Sequence, residues 1–119
     1  MSFNSLILVG LGGFLGAITR YLSVSLLPVG MPYSIAFVNL LGCFLFGFFA
    51  KQVSGEGLVL FLFIGFLGSL TTFSSLISDT QEILVSKKEL FAVANIFLQI
   101  IFGLLLFKFG NYISLQAHQ

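Results

Sequence analysis

The stretch LVLFLFIGFLGSLTTFSSLIS, Leu58 to Ser78, contains no charged residue. As a helix it is long enough to cross a bilayer core of roughly 30 Å, which takes about 20 apolar residues. Its middle departs from an ordinary span. Gly65, Gly68, Ser69, Thr71, Thr72, Ser74 and Ser75 crowd into eleven positions around a single Phe73. Each hydroxyl could bond back to the carbonyl four residues earlier and leave the helix intact. So many glycines and hydroxyls together also fit a helix broken in mid-membrane. Unwound backbone survives at that depth only when buried in protein or lining water.

The rest of the chain sets the context for that stretch. Of 119 residues, 58% are apolar and only 8% charged. With a mean hydropathy of +1.13, there is too little polar surface to cover a particle in water. Three further apolar runs accompany the first, so four spans are expected at about 4–27, 33–50, 58–78 and 90–112. Pro28 ends the first run and Pro32 opens the second. The links between runs are too short for a soluble domain, so residues 1–119 read as one all-α transmembrane domain in the cell membrane. Met1 to Leu8 lacks the basic segment of a secretory signal, so the first span is expected to be retained.

Lipid tails are as apolar as leucine, so such helices associate through close packing of small residues. Gly12 and Gly16, Gly13 and Ala17, and Cys43 and Gly47 each supply the small-xxx-small spacing. Four helices make a thin wall around any pathway, which points to an oligomer. Lys51 and Lys108 nearly balance Lys87 and Lys88 across the spans, with Arg20 near the end of the first. The positive-inside rule therefore gives almost no orientation. Such balance suits a dual-topology protein, or one weakly biased half of a paired heterodimer.

The polar residues within the runs are the candidate functional groups. Arg20 either snorkels to the interface or faces protein and water. Asn39, in AFVNLLG, either joins helices or lines a pathway. Asn95 and Gln99 are four apart on one face, with Ala92 and Gly103 beside them. They form either a hydrogen-bond seam or a polar track. No span carries a carboxylate pair, and Asp79 and Glu82 sit at a helix end and in a linker. With one cysteine and one histidine, His118 in the tail, there is no basis for a Cys–His metal cluster or a histidine-activated nucleophile. An enzyme is not expected. A net charge of +1 offers no field for nucleic acid. Without an intramembrane acid, passive conduction is preferred to proton-coupled export.

GGFLGAITRY (Gly12–Tyr21), VNLLGCFLFG (Val38–Gly47) and GFLGSLTTFSS (Gly65–Ser75), in this order and spacing, together resemble the fluoride channel family known as Fluc or CrcB. The resemblance covers nearly the whole chain. It implies an antiparallel, dual-topology dimer that gives passive fluoride efflux, with a structural Na+ at the dimer centre. By resemblance, the third helix breaks over Gly68 to Thr71, and Gly68 and Thr71 supply backbone carbonyls to that Na+. Asn39 and Phe73 line the fluoride pore. Ser74, Thr72, Leu76, Asn95 and Gln99 are further pore candidates, and Arg20 and Asp79 mark a vestibule and a polar track.

The chain also departs from the family pattern. Leu76 stands where a second phenylalanine is usual, Ile35 where threonine is frequent, and Ser69 where glycine is common. Asn95 and Gln99 stand at positions often Tyr and Ser. These changes fit a divergent homodimer or a chain paired with a paralogous subunit. A small multidrug-type exporter is the alternative four-helix reading, but that class needs a glutamate within its first span, and 4–27 has none. A non-conducting structural subunit is a further alternative.

Overall fold

The computed structural model describes residues 2–26 and 33–117. The expected borders at Leu27, Pro28 and Pro32, and the tail residue His118, lie outside them. The described chain is all-helical: α1 (Phe3–Leu26), α2 (Ser34–Phe49), α3 (residues 56–70), α4 (Phe73–Val85) and α5 (Glu89–Gln116). α1, the run Glu56–Val85 and α5 are long and apolar enough to cross a membrane, and α2 is a shorter apolar helix. At 1.5 Å per residue, the 16 residues of α2 rise about 24 Å. The chain is thus built as a multi-pass membrane protein.

Glycine decides which helices pair. α1 lies against α3: a methyl group on Gly12 would land on the Phe61 carbonyl, and one on Gly16 on the Phe66 carbonyl. Gly65 answers from the other side, where an added Cβ would sit 2.9 Å from the Cα of Gly12. α2 lies against α5 in the same way. Gly47 faces the Phe107 carbonyl, Gly110 the Phe44 carbonyl, and Gly103 the Cys43 sulfur. Backbones this close exclude any side chain, which is how small residues bind helices where hydrophobicity gives no preference over lipid. Val38 of α2 and Phe63, Leu67 and Leu70 of α3 are buried between the pairs. Phe46 and Phe63 seal that layer, with ring centroids 4.6 Å apart.

α3 is not a uniform α-helix. Residues Leu60–Leu67 form wide turns of π type, in which each N–H reaches one residue further back. This is the segment that Gly12 and Gly16 abut. After Leu70 the helix stops. Thr71 (φ −90°, ψ 149°) and Thr72 (φ −151°, ψ 124°) are both extended, and α4 starts at Phe73. The interruption lies at Thr71–Thr72, whereas Gly68 and Ser69, expected to open it, remain helical. The Thr71 methyl occupies the notch left by Gly42 on α2.

Two left-handed residues shape the links. Gly55, at φ 105°, precedes α3. Lys87, at φ 57°, follows α4. Lys88 N–H donates to the Ile83 carbonyl and Lys87 N–H to the Leu84 carbonyl, the paired closure by which a left-handed residue ends a helix. α4 therefore stops short and the chain returns directly into α5.

Gly47→Val should push α2 off α5 and destabilise the fold by about 1–3 kcal/mol. Gly10→Val, where nothing lies within 4 Å, should leave stability unchanged. Thermal unfolding of the two variants in detergent makes the comparison.

Candidate functional site

An interrupted helix leaves backbone groups to satisfy, and here one side chain takes up the first of them. In an unbroken helix the Thr72 N–H would donate to the Gly68 carbonyl. It donates instead to Asn39 Oδ1, at 2.9 Å. Asn39 Nδ2 donates to the Thr72 carbonyl at 3.2 Å and to Gln99 Oε1 at 3.4 Å. An amide carries two hydrogens, so both are engaged. Asn39 therefore pairs with Thr72 as a neighbouring β-strand would, through both backbone groups. The Gly68 carbonyl is left without its regular helical donor.

The restart of the helix is capped locally. The Thr72 hydroxyl accepts from Ser75 N–H at 3.4 Å and shares a hydrogen bond with the Ser74 hydroxyl at 2.9 Å. Threonine at this position offsets one of the orphan donors of the first turn. Thr71 faces the other way. Its N–H and hydroxyl both donate to the Leu67 carbonyl, at 3.1 Å and 3.0 Å, closing α3 behind it.

From Asn39 the polar contacts continue along α5. Gln99 Nε2 donates to Asn95 Oδ1 at 3.0 Å. Asn95 Nδ2 donates to Thr80 Oγ1 at 3.1 Å, and the Thr80 hydroxyl donates to the Leu76 carbonyl at 2.8 Å. Two cavities adjoin this line. One, of about 220 Å3, is lined by Asn39, Cys43, Thr71, Thr72, Phe73, Leu76, Gln99 and Ile100. The other, of about 430 Å3, lies between α2, α4 and α5, with Tyr33, Lys88, Asn95 and Gln99 in its wall. Gln99 borders both.

The structure thus brings Asn39, Thr72, Phe73, Leu76 and Gln99 of the expected pore set around one cavity, with Asn95 one hydrogen bond away. Ser74 is exposed beside Thr72. Phe73 is 70% exposed, projecting from the single chain, whereas Leu76 is buried. Arg20 on α1 and Asp79 on α4 are each half-buried; neither lines these two cavities. Among the described residues there is no group of three or more His, Cys, Asp or Glu side chains able to hold a metal. Backbone carbonyls at Gly68 and Thr71 are a different kind of donor set. Thr80 went unread in the sequence. Its signal was spacing, because Thr72, Leu76 and Thr80 recur every four residues and so share a helix face.

An apolar run long enough to cross a membrane, interrupted at two residues whose backbone pairs with a half-buried amide, marks a multi-pass membrane protein. Residues 7–111 match the model of the family described as CrcB-like protein, Camphor Resistance (CrcB). The chain belongs to that family. It is similar to a protein named fluoride-specific ion channel FluC from Campylobacter jejuni, with 38% identity over 88% of this chain and 98% of the relative. A protein of the same name from Chlorobium phaeobacteroides is 36% identical over 94% of each chain. Fluoride-specific ion channel FluC 2 of Clostridium acetobutylicum is 35% identical over 90% of this chain and 95% of the relative.

Replacing Thr72 by Ala should remove the cap of α4 and cost about 1 kcal/mol, read as a lower melting temperature. Thr72→Ser should keep it.

Proposed function

We propose that this chain is a subunit of a fluoride-selective channel that lets fluoride leave the cell passively. The observation that carries this reading is the Asn39 amide, held at the Thr71–Thr72 interruption in the wall of a cavity. Relatives 35–38% identical over most of the chain are named fluoride-specific ion channels. Fluoride is small and strongly hydrated, so a pore for it must replace water with hydrogen-bond donors. Asn39, Gln99, Asn95 and the Thr72 and Ser74 hydroxyls are such donors. The longer of the two Asn39 Nδ2 bonds, to Gln99 Oε1, is the one whose hydrogen can be shared with an anion in the cavity while Gln99 keeps its orientation. The Phe73 ring adds a positive edge without a full charge, while Leu76, in place of a second ring, adds only apolar wall. Arg20 and Asp79 serve the aqueous approaches.

The working unit in this reading is an antiparallel, dual-topology homodimer, or a pair with a paralogous subunit, in the plasma membrane. The exposure of Phe73 on the single chain favours a partner there. A structural Na+ fits the interruption. The Gly68 carbonyl lacks its regular donor because Thr72 N–H is taken by Asn39, and carbonyls of this kind, brought from two subunits, suit a hard cation. Gly68 and Thr71 would hold it through backbone oxygens, and the cation would offset carbonyl dipoles that otherwise repel.

Proteoliposomes containing only this chain should release fluoride, read by a fluoride electrode, and retain chloride. Phe73→Ile and Asn39→Ala should each abolish release while the protein stays dimeric by size exclusion. Unchanged efflux in both variants would sink the pore assignment. Prolonged exchange of Na+ for a bulky organic cation should slow release or dissociate the dimer, and indifference to that exchange would remove the Na+ site.

A further inference from the structure

The geometry points to Thr80 as a positioning residue that closes a hydrogen-bond circuit and thereby holds the Asn95 and Gln99 amides with their free hydrogens available to an anion. The role in conduction rests on the fluoride reading above. The circuit begins at Thr72 N–H, which can only donate, and ends at the Leu76 carbonyl, which can only accept. Between these two backbone ends run four side chains: Asn39, Gln99, Asn95 and Thr80. Both ends lie on the same segment, four residues apart, so the line returns to the helix it left.

Fixed ends set the direction of every amide. Thr72 N–H requires the Asn39 oxygen, so Asn39 turns its NH2 towards Gln99. Gln99 must answer with its oxygen and pass its NH2 to the Asn95 oxygen. Asn95 then donates to the Thr80 oxygen, whose hydrogen goes to Leu76. Gln99 and Asn95 each spend one hydrogen in the circuit and keep one. Their carbonyl oxygens, which would repel an anion, are the atoms the circuit occupies. Thr80 is 6% exposed, and it supplies both the acceptor for Asn95 and the donor for Leu76. Without that hydroxyl the Asn95 NH2 loses its acceptor. Asn39 still fixes the Gln99 oxygen, but Asn95 is then held only by its bond from Gln99 Nε2 and can swing away, which loosens the Gln99 amide as well.

The test separates the hydroxyl from the volume of the side chain. Thr80→Val keeps the shape and removes both bonds; Thr80→Ser keeps both bonds and removes a methyl. Thr80→Ala is a second hydroxyl-free variant should the valine protein fail to fold. In proteoliposomes, Thr80→Val should slow fluoride release roughly tenfold, the size expected for losing the one net hydrogen bond that orients Asn95, and Thr80→Ser should stay within about twofold of the parent. In 15N spectra of the side-chain amides, both Asn95 and Gln99 resonances should move in Thr80→Val and hold in Thr80→Ser. Parent-like release by Thr80→Val, equal slowing in the serine variant, or a Gln99 resonance indifferent to Thr80→Val would each overturn the proposal. If the parent itself releases no fluoride, the fluoride reading fails alone, and the amide spectra decide the circuit.

Discussion

The bond from Thr72 N–H to Asn39 Oδ1, 2.9 Å long, is the constraint around which the rest is arranged. Inside a bilayer, a backbone N–H without a partner costs several kcal/mol. A helix can therefore open only where another group replaces what the opening removes. Asn39 replaces the acceptor lost by the Thr72 N–H and also donates to the Thr72 carbonyl. That substitution needs α2 beside the interruption, and Gly42 permits it by leaving a notch for the Thr71 methyl. The glycine contacts of α2 with α5 then place Gln99 within reach of the same amide. Packing between helices and polarity within them are thus one requirement, because the amide is useful only where the backbones come close.

The chemistry follows from how these groups are oriented. A buried amide is ambivalent, since one end attracts anions and the other repels them. Here the backbone ends of the circuit remove the ambiguity, and the unspent hydrogens fall on Gln99 and Asn95. Asn95 and Gln99 suit this arrangement as a pair: the Gln99 amide donates to Asn95, and each still keeps a donor. Leu76 belongs to the same arrangement twice over, its side chain in the wall of the smaller cavity and its carbonyl as the terminus of the circuit.

Much of this was legible in the sequence. Runs of apolar residues separated by short polar links can only be membrane helices, because bilayer thickness sets their length. The same reasoning singled out Asn39, Asn95 and Gln99, since a polar side chain in such a run must find a partner. The small-residue pairs Gly12/Gly16 and Cys43/Gly47 likewise lie at helix contacts. The position of the helix interruption was less legible. Glycine marked Gly68 as its start, yet Gly68 and Ser69 stay helical, and the β-branched Thr71 and Thr72 adopt the extended backbone they favour.

The sequence by itself determined the class of the protein, the number of apolar runs and the residue types able to meet an anion, because hydrophobic length and the cost of buried polar groups act locally along the chain. Only the tertiary structure decided which helices pair, which backbone group Asn39 serves, and that Thr80 joins Asn95. Those contacts span 33 and 15 residues of chain. They depend on glycine surfaces meeting at backbone distance, and that complementarity between helices has no signature in any one of them.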